Sequence, residues 1–354
     1  MSVILNQKKL DYSTVHIVLE AGPTHNGILS AKKLVDIAVE SGADSIKFQT
    51  IDTDRLMADK KIEFEYSILE KLKNGEIKYT STKEPLYDIL KRRELKKNEW
   101  RELKLYADKK GIHFFTTACY KDEVDFLVDE LKIDSIKVNS SDINQIDLIK
   151  HIAKKGVNIQ IDTGSSDLWE IEKAVIAIEE EGNRNIIIHH CPSGYPARLE
   201  SINLKMIQTL KMMFPNYLIA FSDHSPGWDM DIAAISLGAG MIEKTITLNR
   251  FEKSCEHSYS LEGNEIKEFI NVIRSLEIAF GQERRTIPKE IREKRKNTRR
   301  SPYALRDIKK GEKILREDFE FKRPGKGLSE EEFIVLLNCR ISKDLKKGDI
   351  LLYD

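Results

Sequence analysis

Short apolar runs that end in polar or ionisable residues recur roughly every 20 to 40 residues between Val15 and Thr247. The clearest is LIAFSDHSPG, residues 218–227, where Leu218 to Ser222 read as a buried strand that runs into Asp223, His224 and the Pro226-Gly227 turn signal. Seven more have the same form: VHIVLE (15–20), ADSIKFQ (43–49), HFFTT (113–117), SIKVNS (135–140), NIQIDT (158–163), IIIHHC (186–191) and MIEKTIT (241–247). Between them apolar residues recur at helical spacing, as in Leu34, Val35, Ile37 and Ala38 after a Ser30 cap, Ile146-Ile149-Ile152, and Ile171-Val175-Ile178. Eight strands alternating with helices predict an α/β fold, a (β/α)8 TIM barrel, whose polar strand tips converge on one face.

Two stretches break that rhythm. Residues 51–82 are charged and irregular, an insertion long enough to cover a site, and a long helical stretch follows through Trp100 and Ala107. After a helical run at 265–280 (Ile266, Phe269, Ile270, Ile273, Leu276) the alternation stops. The expected division is therefore a barrel domain at 1–280, a basic linker at 281–300 and a small β-rich module at 301–354. The module carries two similar turns, Lys309-Lys310-Gly311-Glu312 and Lys346-Lys347-Gly348-Asp349, and the loop KRPGKG at 322–327.

Composition narrows the function. With 58 basic and 58 acidic side chains in 354 residues, the chain is not expected to bind nucleic acid or an acidic membrane surface generally. The local exception, residues 284–300 with nine basic and two acidic side chains, reads as a solvated linker or exposed helix. No leader-like segment and no run of about 18 apolar residues is found, so a cytoplasmic protein is expected. Four dispersed cysteines without a C-x-x-C spacing argue against a disulfide framework or zinc ribbon, and Cys191 reads as a buried thiol.

Gathered on one face, the tips supply cations (Lys47, Lys137, Lys244), carboxyl groups (Glu20, Asp162, Asp223, Glu243), hydroxyls (Thr117, Ser140, Ser222) and imidazoles (His25, His189, His190, His224). Of the adjacent His189 and His190, only one can face the barrel interior. Lysines with hydroxyls suit a small phosphorylated, carboxylated substrate, and a histidine among carboxylates suits a divalent metal that polarises a carbonyl. The residues alone point to a barrel enzyme acting on a small anionic compound. A Schiff-base pyruvate aldolase or lyase using Lys47, Lys137 or Lys244 is a competing reading, and a non-catalytic sugar-binding protein is a third.

Taken in order, GPTHNG, ADSIKFQT, FFTT, IKVNSSD, DTG, HHCPSGYP, FSDHS, EKTIT, YSLE and RPGKG resemble the bacterial sialic acid (N-acetylneuraminate) synthases and their legionaminic and pseudaminic acid relatives, over residues 15–354. The resemblance implies a barrel with a C-terminal antifreeze-like (SAF) domain. It implies condensation of phosphoenolpyruvate with the open-chain aldehyde of an N-acylmannosamine-type hexosamine, with release of phosphate and use of a divalent ion, Mn2+ or else Mg2+ or Co2+. Position by position, it implies that Lys47, Thr117, Lys137, Ser140, Ser193 and Ser222 contact phosphoenolpyruvate, that His224 binds metal and that Glu20 handles protons. It places Gln49, Tyr195 and Glu256 near the sugar, and Arg323 in the barrel of a partner subunit within a domain-swapped homodimer.

Three departures from that pattern stand out. Thr245, in EKTIT, replaces a second metal histidine, for which His257 or Glu256 is the expected substitute. Asp162 replaces a serine near the phosphate, where a carboxylate repels the substrate unless a lysine or the metal neutralises it. Glu256 stands in place of an aspartate and Ser254-Cys255 in place of Gly-Pro, which alters the sugar end of the pocket.

Overall fold

In a computed structural model, which describes residues 3–6 and 8–353, the eight expected strands close into one parallel barrel. They are β1 His16–Glu20, β2 Ser45–Gln49, β3 His113–Thr117, β4 Ser135–Val138, β5 Asn158–Asp162, β6 Ile186–His190, β7 Leu218–Asp223 and β8 Met241–Thr247. Each pairs with the next in sequence, and β8 pairs with β1 to complete the ring. The strands are covered on both sides, which is why they read as almost uninterrupted apolar text.

Side-chain alternation divides each strand between two environments. Ile17, Leu19, Ile46, Phe48, Ile136, Ile159, Ile161, Ile188, Ile219 and Ile242 point to the helix layer and are fully buried. The opposite set fills the barrel with polar groups where many such barrels hold branched aliphatics. At the amino end Ser45 Oγ pairs with His16 Nε2 at 2.6 Å and His113 Nδ1 at 2.7 Å, and His113 Nε2 pairs with Asp134 at 2.8 Å. One level up, Gln160 Nε2 donates to Ser135 Oγ, which donates to Asn158 Oδ1. Every one of these groups finds a partner, which is what makes a polar interior tolerable. An N-terminal hairpin, Val3–Leu5 with Lys8–Leu10, covers this end: Ile4 N donates to Asn185 and Asn6 N to Asp134.

The pleat also corrects part of the expectation for the strand tips. Lys244 and Asp223 face the helix layer, not the mouth. The Lys244 ammonium is held by Asp223, by Ser225 O at 2.7 Å and by Asp231 at 3.5 Å, with all three charged side chains at 0% exposure. His190 likewise faces outward, pairing with Ile202 O and stacking on Phe221, while His25 packs on Phe48. Lys244 is thereby unavailable for Schiff-base chemistry.

The insertion is more regular than expected. Residues Glu63–Lys71 and Ile77–Pro85 form a nine-residue antiparallel hairpin that turns at Asn74-Gly75, where Gly75 has φ 86°. Charged side chains at Glu63, Glu65, Glu70, Lys78 and Lys83 hide the alternation, but Asn-Gly between two alternating runs is a hairpin signal.

The chain divides into two compact units, residues 1–280 and 281–354. The second begins with an exposed basic helix, Lys289–Thr298, and has its own core of Ala304, Ile308, Ile314, Phe319, Phe333 and Leu345. Strands Ser301–Ala304 and Phe319–Lys322 pair antiparallel, and a helix at Glu330–Leu336 adds to the expected β content. Both KKG turns need their glycine, with φ 88° at Gly311 and 93° at Gly348.

Replacing Lys244 by Ala leaves the Asp223 carboxylate buried without its main counter-charge. The expected loss of stability is roughly 3–5 kcal/mol, read from urea unfolding midpoints. A change under about 1 kcal/mol would show that the pair is not a structural strut.

Candidate active site

The carboxyl end of the barrel opens into a cavity of about 340 Å3. Two kinds of wall enclose it. Strand tips and the loops after them contribute Glu20, Lys47, Gln49, Ser140, Asp162, Tyr195, His224 and Glu243. The hairpin, the helix Leu86–Lys91 with the residues just after it, and residues 255–256 contribute Phe64, Leu86, Ile89, Leu90, Arg93, Cys255 and Glu256.

The floor is a continuous ionic network. Glu243 Oε1 accepts from Lys47 Nζ at 2.9 Å and from Lys137 Nζ at 2.7 Å, and Glu20 accepts from Lys47. Lys137 also reaches Asp162 Oδ2 at 2.9 Å and donates to Ser222 Oγ at 2.9 Å. His189 completes the network, with Nδ1 on Ser222 Oγ and Nε2 on Gln160 Oε1. Of the two adjacent histidines, this is the one that faces inward.

These contacts set the protonation states. Burial alone would disfavour the Lys47 ammonium, but Glu20 and Glu243 overcome it and raise its pKa well above the usual lysine value. Burial opposes the Glu243 carboxylate too, and Lys137 and Lys47 hold it below the carboxylate range. For Glu20 burial wins over Lys47, with Glu243 adding to it, and the carboxyl is pushed up to about 7. Buried beside Lys137, His189 stays neutral, its pKa held well below the usual imidazole value.

A carboxylate about 4 Å from a substrate phosphate opposes it by roughly 4 kcal/mol at an effective dielectric of about 20. The Lys137–Asp162 contact offsets that term within the protein. Asp162 shares this ammonium with Glu243, so the lysine offsets its charge in part.

The other wall is looser. Arg93 is 3% exposed; its Nη2 donates to Ser254 Oγ at 2.9 Å and Cys255 Sγ at 3.0 Å, and its Nη1 lies 3.9 Å from Glu256 Oε1. Tyr259 OH donates to Glu256 Oε2 at 2.8 Å. Phe64 brings the hairpin against Tyr195, whose ring packs 4.9 Å from that of His224.

Of the residues singled out from the sequence, Glu20, Lys47, Gln49, Ser140, Asp162, Tyr195, His224 and Glu256 line this cavity. Lys137, Thr117 and Ser222 are buried in the barrel interior and do not line it. Ser193 stands apart from it, exposed on the loop after β6 with its hydroxyl on Gly164 O. His257 is 3% exposed and pairs through Nδ1 with Thr247 Oγ1 at 2.7 Å, so the turn that carries it spends the imidazole on a local contact. Arg323 is exposed on the loop of the second unit. Arg93 was not foreseen, because it sits in the charged run KRRELKK and nothing local sets it apart from its neighbours. Glu243 was legible as a tip, but its bridging of two lysines depends on ring closure.

Few side chains at the cavity are placed to hold a divalent ion. His224 Nδ1 engages Pro192 O at 3.1 Å, which leaves Nε2 for the cavity. Among the described residues no three His, Cys, Asp or Glu side chains converge as a ligand group. The buried Thr245 offers no imidazole and His257 does not line the cavity. The residues present do not fit an ion held by protein ligands alone.

The carboxyl end of the (β/α)8 barrel thus holds a buried lysine–carboxylate network, and a small separate unit follows the barrel in the chain. Residues 34–285 match the NeuB family and residues 299–354 the SAF domain, and the chain belongs to the NeuB family. It is 33% identical over 341 residues to the N,N'-diacetyllegionaminic acid synthase of Campylobacter jejuni, covering 95% of this chain and 98% of that one. The enzyme of the same name from Legionella pneumophila is 33% identical over 347 residues, covering 96% and 94%. Among solved structures, the N-acetylneuraminic acid synthetase of Leptospira borgpetersenii, in complex with citrate, superposes with a TM-score of 0.71 at 26% identity, covering 83% of this chain and 95% of that one.

The raised Glu20 pKa has a thermodynamic signature. Between the ordinary glutamate value of 4.5 and about 7 the folded chain holds a proton that the unfolded chain releases. Its contribution to stability therefore falls as pH rises through that window. Relative to the parent, Glu20→Gln is expected to gain stability on going from pH 5 to pH 8 in urea titrations, and a parallel pair of curves would count against the assignment.

Proposed function

We propose that the protein is a nonulosonic acid synthase that joins phosphoenolpyruvate to the aldehyde of an N-acylated, mannosamine-type hexosamine. The observation that carries this reading is the convergence of Lys47, Lys137 and a carboxyl poised near neutrality, Glu20, at the floor of a NeuB-family barrel. C3 of the enol phosphate bonds to the aldehyde carbon, whose oxygen takes up a proton. Water adds at C2, gives up a proton, and the tetrahedral intermediate expels phosphate, leaving a 2-oxo acid. Lys47, which lines the cavity, offsets the phosphate and carboxylate charges, giving up part of its hold on Glu20 and Glu243, while Lys137 lies beneath the cavity and acts through its contacts with Glu243 and Asp162. Ser140 donates to the same anions. Glu20, its pKa about 7, exchanges the proton between solvent-facing and reacting oxygens at working pH. Gln49, Tyr195 and Glu256 order the sugar hydroxyls, and the fixed cavity holds the two carbons in line.

A divalent ion, with Mn2+ first and Mg2+ or Co2+ as alternatives, would find one histidine donor, His224 Nε2, and take its other ligands from water and substrate oxygens. The protein is further proposed to be cytoplasmic; no helix among the described residues is long and apolar enough to cross a membrane. A homodimer that exchanges its small domains is proposed from the RPGKG loop and the exposed Arg323 guanidinium, and a solution mass of one chain by light scattering would rule it out.

Incubation with phosphoenolpyruvate, Mn2+ and a panel of 2-acetamido and 2,4-diacetamido hexoses is expected to release phosphate only when both substrates are present, with product mass equal to their sum plus water minus phosphoric acid. Borohydride trapping of pyruvate on a lysine would instead establish the aldolase reading, and sugar binding without turnover the non-catalytic one. In the same assay His224→Ala is expected to raise the Mn2+ requirement at least tenfold and His257→Ala to leave it unchanged.

A further inference from the structure

Arg93 is a buried cation that the reaction at the barrel floor does not use. It lies just beyond the helix Leu86–Lys91, lines the cavity, and belongs to the wall built by inserted segments, not by strand tips. A guanidinium has five N–H donors. Here Nη2 is placed on a hydroxyl and a thiol, Nε has no hydrogen-bond partner, and Nη1 has only a 3.9 Å approach to Glu256 Oε1. Burying such donors unpaired is costly, and Nη1, without a close partner and on a residue that lines the cavity, is the donor open to a ligand.

The surroundings narrow what that ligand is. A second anion is disfavoured because Glu256 already stands beside the guanidinium. Next to Arg93, the Cys255 side chain packs in a small apolar cluster with Tyr66 and Ile89, against which Phe64, Ile68 and Leu86 are set. The wall therefore presents donors, one carboxylate acceptor and an apolar patch. An acylamino group has the complementary set: a carbonyl oxygen, an N–H and a short alkyl tail.

We propose that Arg93 is a specificity-determining residue, whose guanidinium takes the carbonyl oxygen of an N-acyl substituent of the sugar while Glu256 accepts its N–H and the Phe64–Leu86–Ile89 patch receives the alkyl group. The proposal rests on the synthase reading and names the part of the sugar that this wall reads. A hydroxyl in place of the acylamino group leaves both the guanidinium donors and the patch unfilled.

The test uses the full-length protein with phosphoenolpyruvate and three sugars: a 2,4-diacetamido hexose and its two analogues in which one acetamido group is replaced by hydroxyl. The parent is expected to discriminate against one analogue by roughly ten- to a hundredfold in kcat/KM. Arg93→Ala is expected to bring that ratio down to about threefold or less, through a higher KM for the diacetamido sugar, with KM for phosphoenolpyruvate unchanged. Arg93→Lys, which keeps the charge and loses the planar fork, is expected to fall between them and guards against a folding defect in the alanine variant. An unchanged ratio in both variants, or an equal loss with all three sugars, overturns the assignment. A parent that releases no phosphate with any sugar defeats the synthase reading itself, a separate outcome.

Discussion

One carboxylate oxygen, Glu243 Oε1, accepts hydrogen bonds from two lysines at 2.9 and 2.7 Å. Two ammonium groups brought to a single atom in a buried place repel each other and lose their hydration, so the arrangement does not serve stability. It persists because β1, β2, β4 and β8 of a closed ring deliver Glu20, Lys47, Lys137 and Glu243 to one place in its interior. The rest of the site is arranged around this compromise.

Its consequence is a floor that is ionic yet nearly balanced. The lysines are not bare cations awaiting an anion; their carboxylate partners must yield some of their hydrogen bonds for a substrate to bind. Glu20 yields most readily, since burial already pushes its carboxyl to about 7 and a proton there removes one negative charge. Asp162 takes part through its 2.9 Å contact with Lys137. A proton on Glu20 lowers the negative charge of the network, the property that the proposed reaction would draw on.

The two walls of the cavity follow different logic. Strand tips are fixed by the hydrogen-bond ladder and carry most of the charged groups, whereas the hairpin, the stretch from Leu86 to Arg93 and the segment around Cys255 carry apolar side chains, Arg93 and Glu256. Such a division allows one wall to keep the reaction while the other changes the sugar, as barrels generally do by varying the loops at their carboxyl face. The departures at Ser254, Cys255 and Glu256 fall on the variable wall, and Arg93 bonds to two of those three residues.

The barrel itself was legible in the sequence, because parallel strands covered on both faces must be written as apolar runs, and a ring of them needs eight. Part of the cavity lining was legible as well, Glu20, Lys47, Gln49, Asp162 and His224 among it, since a polar residue closing such a run has few places to go. Three things were decided only by the tertiary structure. The pleat sent Lys244 and Asp223 to the helix layer, and a shift of one residue along a strand is invisible in composition. The hairpin emerged from a stretch whose charges masked its alternation. Arg93 acquired its place from segments some 160 residues away, Ser254 and Cys255, and no local pattern encodes a partner at that separation.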